Sequence, residues 1–180
     1  MTAGAASEGN ETSRGAAESP RLVGLSTAPL AVAPIRIGLG LLGLVGAGLR
    51  GLSWSVAGAA FLLGTGGFAF SALADPRRQF FRIRGEAEPV PANASFEPRL
   101  RVALSALYPS SIGLAVLSAV ALAFNPALAA VMAGGLAGLG VAGAITGAGI
   151  VLRERSGGVR HYIERGGRRI YSETTSRDAA

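Results

Sequence analysis

The acid–base groups of this chain are a single histidine, His161, and 11 carboxylates, and neither lysine nor cysteine accompanies them. Their absence removes whole classes of chemistry. Without lysine there is no Walker A or kinase-type lysine on a phosphate and no Schiff-base amine. Without cysteine there is no thiol nucleophile, no disulfide and no Cys-ligated metal. One histidine cannot build a multi-His zinc site within one chain. Asp75, Glu86, Glu88 and Glu97 are scattered, and no metal or phosphate motif organises them into an interfacial lipid-processing site. No catalytic, cofactor-binding or metal-binding residue is therefore assigned.

Three further groups of residues invite a chemical reading. Gly64-Thr65-Gly66-Gly67 has the glycine content of a phosphate loop. It lies inside an apolar run, with no strand before it and no lysine after it, and is better read as a closely packed point. Thr65, Ser105, Tyr108, Ser110, Ser111, Ser118 and Thr146 are hydroxyl residues within the apolar runs. They suit bonds to their own or a neighbouring helix, and alternatively a neutral polar path. Arg36 is the sole charged residue near the interior of a run, and its long side chain is expected to snorkel toward the headgroups. No titrating Asp, Glu or His lies at that depth, which argues against a proton-coupled transporter.

The elements that carry these residues are long and apolar. Charge is nearly absent from Ile37–Leu49, Leu52–Ala74, Val102–Phe124 and Ala127–Leu152. Uncharged apolar runs of about 18 residues or more read as transmembrane helices. Spans are predicted over about 33–50, 54–74, 100–124 and 127–152, forming hairpins within 29–74 and 99–152. Ser53 can cap the second span, and Asn125 followed by Pro126 suits the start of the fourth. Pro109 predicts a kink in the third. Residues 1–28 are assigned to a disordered, uncleaved tail, 75–98 to a basic loop, and 153–180 to a basic C-terminal tail.

All 17 cations are arginine. Fifteen fall in the two tails and the middle loop, and one, Arg50, in a short turn. The positive-inside rule places both tails and the loop in the cytoplasm. The net charge of +6 is therefore read as membrane orientation, not as nucleic-acid binding. In Arg77-Arg78-Gln79-Phe80-Phe81-Arg82-Ile83-Arg84, cations alternate with apolar side chains, a composition suited to anionic headgroups. Arg153 and Arg155 occupy the matching position after the last span. Gly43, Ala47, Gly51, Gly134, Gly138, Gly143 and Gly147 form small-residue faces that permit close helix packing, or contact between copies. Ile35–Leu39 and Leu100–Leu104 share a pattern, which a duplicated two-span unit in parallel orientation would give, as would any two hairpins with basic cytoplasmic ends.

The C-terminal tail reads as a β-hairpin over 159–173, turning at Gly166-Gly167. In that register Tyr162 faces Tyr171, Ile163 faces Ile170, Arg160 faces Glu173 and His161 faces Ser172 as an ordinary strand residue. The fold class expected is an all-α membrane protein of four transmembrane helices in two hairpins, with a small cytoplasmic β-hairpin. Its expected place is a cell membrane of the bacterial inner-membrane kind. The function expected is that of a non-enzymatic accessory component acting on lipid or protein. The alternative is an oligomeric facilitator for a neutral solute.

Overall fold

The computed structural model describes residues 19–74, 87–165 and 169–174. The stretch holding Arg77, Arg78, Phe80, Phe81, Arg82 and Arg84 lies outside the described residues, as do residues 1–18 and the predicted Gly166-Gly167 turn. Five helices carry most of the described chain: α1 (Thr27–Leu49), α2 (Trp54–Leu73), α3 (Arg99–Leu107), α4 (Ser110–Phe124) and α5 (Pro126–Gly157). Five strands complete it: β1 (Arg21–Gly24), β2 (Glu88–Pro89), β3 (Ser95–Phe96), β4 (Val159–Glu164) and β5 (Ile170–Thr174).

Helices α1, α2 and α5 are long and apolar enough to cross a membrane, and the pair α3–α4 becomes a fourth candidate if it is counted as one span. The pair departs from the sequence expectation. In place of a kinked but continuous helix over 100–124, two helices meet at 50°. Proline lacks the N–H that would continue the ladder and drives the preceding residue out of the helical region. Tyr108 accordingly has extended angles, φ −94° and ψ 141°.

The other boundaries follow local signals. Helix α1 starts at Thr27, earlier than predicted, with Pro29 in its first turn, where a missing N–H costs nothing. Asn125 caps α5, its side chain accepting from the N–H groups of Ala127 and Leu128, both at 3.1 Å. Helix α5 runs past Leu152 to Gly157 and ends at Gly158, whose φ of 61° is the left-handed geometry glycine favours. Ser53 stands at the N-cap of α2 without a side-chain bond to the helix.

Helix α5 is the axis of the bundle, with α1, α2 and α4 packed on it. In its most apolar stretch 56% of residues are buried, against 22% for α1 and 11% for α2. Glycine makes this closeness possible. A Cβ on Gly134 of α5 would lie 2.0 Å from the Phe61 carbonyl oxygen of α2, and one on Gly64 of α2 would lie 2.0 Å from that of Val131. The two backbones are therefore in direct contact, as small-residue faces allow. Large apolar side chains point the other way: Leu63 of α2 is 72% exposed and Phe124 of α4 is 85% exposed.

The strands form one sheet in the order β2-β5-β4-β1-β3. Strands β4 and β5 pair antiparallel in the register expected from sequence, Tyr162 opposite Tyr171 and Ile163 opposite Ile170. The remaining pairings were not anticipated. Residues 21–24, assigned to the tail, form β1, which pairs antiparallel with β4 and parallel with β3. Strand β2 adds in parallel to β5. The outer strands have two residues each, and Pro89 lies on one of them, a position that needs no ladder donor.

Candidate functional site

The sheet lies against one end of the bundle, and a cleft of about 810 Å³ separates it from the ends of α1, α3 and α5. Each wall has a local cause. Strand β4 follows α5 directly because Gly158 reverses the chain. Strand β3 leads through Glu97-Pro98 into α3, which sets Arg99 at the cleft. Strand β1 leads through a short turn into α1, and that turn contributes Ser26.

Two carboxylates hold the parts together. Glu154, in the last turns of α5, accepts the backbone N–H of His161 at 3.0 Å and the hydroxyl of Ser26 at 3.5 Å. One side chain thereby ties α5 to β4 and to the entrance of α1. Glu97 pairs with Arg165, and its side chain is only 5% exposed. Its backbone N–H donates to the Leu22 carbonyl. Leu22 is fully buried, and Phe96 stacks at a tilt on Tyr162 with centroids 5.2 Å apart. The Tyr162 hydroxyl donates to Glu173 at 3.0 Å. Burial pushes its pKa above the ordinary value, and the negative charge and hydrogen bond of Glu173 push the same way, with Arg160 opposing.

The basic residues of the cleft are Arg99, Arg155 and Arg160. Of the residues assigned to anionic lipid from sequence, Arg155 lines the cleft, and Arg153 lies two residues before it on α5. His161 also lines the cleft, opposite Ser172 in the sheet. Glu97 and Glu154 are brought to one place although they lie 57 positions apart in the sequence. Glu154 escapes sequence reasoning because, between two arginines at a helix end, it resembles an ordinary solvated charge. Only the pairing of β1 with β4 brings Ser26 to it, and β1 is too short to announce itself.

Arg36 has partners within the bundle. Its guanidinium does not simply reach out of the bundle. It turns to the break between α3 and α4, where Nε donates to Ser111 Oγ at 2.7 Å and the terminal nitrogen to the Ala106 carbonyl at 3.4 Å. The break leaves the Ala106 carbonyl and the buried Ser111 hydroxyl in need of a donor, and a neighbouring helix supplies it. Three of the other hydroxyls are also engaged: Thr65 donates to the Gly134 carbonyl, Ser118 to that of Ala129, and Ser105 to that of Val102 in its own helix.

Gly43, Gly134, Gly138 and Gly147 lie at close contacts inside the bundle. Ala47 is fully buried, and Gly143 is in looser contact with Pro29. Gly51 differs. It occupies the α1–α2 turn with φ 90°, and a Cβ there would meet nothing within 4 Å. Backbone conformation, not packing, explains it.

Compared with family models, curated proteins and solved structures, the chain has no match.

Proposed function

We propose that the chain is an integral membrane protein with four spans, α1, α2, the broken α3–α4 unit and α5. Both ends and the middle loop lie on the cytoplasmic side, and the protein works without catalysis, as an accessory component that presents a sheet and cleft to lipid or protein. One observation carries this reading. Among the described residues, the sheet is built from the three segments that the arginine distribution assigns to one side: residues 21–24, strands within 88–96, and the C-terminal strands 159–164 and 170–174. Four crossings are the arrangement that returns all three segments to one face. Large apolar side chains on the outer surfaces of α1, α2 and α4 give lipid a matching boundary. Helix α5, 32 residues long, extends about 48 Å and exceeds a hydrocarbon core of about 30 Å. Its surplus brings Glu154 and Arg155 out to the sheet. Both carboxylates at the cleft are committed to holding the sheet in place, which suits a binding surface better than acid–base work.

The absence of native cysteine makes a direct test possible. Single cysteines replace Ser53, Asn93 and Thr174, and sealed vesicles of each orientation are treated with a membrane-impermeant maleimide. Asn93→Cys and Thr174→Cys are expected to react from one side and Ser53→Cys from the other. Reaction of Ser53→Cys and Thr174→Cys from the same side would overturn the proposal.

A further inference from the structure

We infer that the cleft between the sheet and the bundle end binds the phosphate headgroup of an anionic phospholipid, held by Arg99 and Arg155. This rests on the membrane reading above, which sets the cleft at the depth of the headgroups. Its volume, about 810 Å³, lies within the range of about 300–1,000 Å³ common for small-ligand sites. Its wall is divided. Phe96 and Val151 supply apolar surface, while Arg99, Arg155 and Arg160 supply positive charge.

The two acids of the cleft offset only part of this charge, because three arginines line it. Glu97 is paired with Arg165, and Glu154 accepts from His161 and Ser26. Arg160 lies opposite Glu173 in the sheet. Among the described residues, Arg99 and Arg155 meet no carboxylate. Two unpaired guanidinium groups on one hollow favour an anion, and their planar forks match phosphate oxygens. A zwitterionic choline headgroup would bring a cation among arginines, so a headgroup of net negative charge fits better.

The apolar part of the wall argues for a lipid over a small free anion. Leu100, next to Arg99 on α3, and Leu104, one turn further on, are 73% and 60% exposed, and Leu152, beside Val151, is 66% exposed. Apolar side chains thus continue from the lip of the cleft along the outside of the bundle, where acyl chains would run. Inorganic phosphate would use the arginines and leave this surface uncovered.

The test uses the full chain in nanodiscs of mixed phosphatidylglycerol and phosphatidylcholine, released into a native mass spectrometer. The wild type is expected to keep one phosphatidylglycerol. Removing either guanidinium should weaken retention by about tenfold or more, so Arg99→Gln/Arg155→Gln should lose the lipid. Val151→Trp, which fills the cleft and leaves every charge in place, should lose it too, while Arg50→Gln at the far end of the bundle should keep it. Far-UV circular dichroism confirms that each variant retains its helices. Unchanged retention in the double variant and in Val151→Trp, or equal retention of phosphatidylcholine, would overturn the inference. Displacement of the lipid by inorganic phosphate alone would identify a free-anion site and also overturn it. A chain stripped from membranes by alkaline carbonate would defeat the membrane reading itself, whereas a stably inserted chain carrying no lipid would defeat only the cleft.

Discussion

The two helical hairpins use the same materials and reach different ends. Each has two apolar segments rich in glycine and alanine, joined by a short turn. The first, α1–α2, consists of two unbroken helices on the outside of the bundle. The second holds both the broken unit α3–α4 and the central helix α5. Both hairpins carry a proline within an apolar segment, yet only Pro109 breaks its helix, while α1 continues through Pro34. The difference shows that glycine content does not by itself decide which helix becomes the axis. Contact from several sides does. Helix α5 meets neighbours on its Gly134, Gly138 and Gly140 faces, whereas Gly58, Gly66 and Gly67 of α2 have open space where a Cβ would stand.

That contrast gives the largest expected effect. Gly134→Leu must force apart two backbones already in contact, with the Phe61 carbonyl in the way, and should cost about 3 kcal/mol or more. Gly66→Leu on α2 enters open space and should change stability little. Unfolding by SDS from mixed micelles, followed by far-UV circular dichroism, measures both. Equal losses at the two positions would mean that α2 and α5 are not outer and inner helices.

The hairpins also meet through a polar link. Arg36 belongs to the first and its acceptors to the second, and Ser111 is fully buried. Arg36→Leu leaves the Ser111 hydroxyl and the Ala106 carbonyl without this donor and should cost about 2 kcal/mol. Ser111→Ala in the Arg36→Leu background should cost much less than Ser111→Ala alone, because a buried group already stripped of its partner is then removed. The coupling from this double-mutant cycle is expected at about 1 kcal/mol or more. Strict additivity would show that the two helices do not depend on each other at the break.

What was legible in the sequence followed from what is local. Uncharged runs marked the helices, Asn125-Pro126 marked the start of α5, and paired residue types across Gly166-Gly167 fixed the β4–β5 register. The break at Pro109 was legible as a disturbance but not as a 50° bend, because its extent depends on donors from another helix. The sheet was legible only in part. Strands β1, β2 and β3 have four, two and two residues, too few for an alternation to show, and they exist because β4 and β5 offer them edges. The cleft inherits this blindness. Glu97, Arg99, Glu154 and His161 converge only once distant segments pair, and no spacing in the chain records that.

The smallest effect separates the two turns. Asn125 satisfies two backbone N–H groups at the start of α5, whereas Ser53, at the same place before α2, bonds its hydroxyl to that of Ser55 and leaves the helix uncapped by a side chain. Asn125→Ala should therefore cost about 1 kcal/mol, and Ser53→Ala only a few tenths, within ~0.5 kcal/mol of zero. Gly51, with φ 90°, already sets the first turn through its backbone, and the Leu52 N–H reaches the Ala47 carbonyl at 3.3 Å. The first hairpin is thus closed by main-chain geometry and the second by a side chain. Paired SDS titrations of the two alanine variants resolve the difference. A Ser53→Ala loss as large as that of Asn125→Ala would mean that both turns depend on their caps, and that the hairpins differ only in how their helices pack.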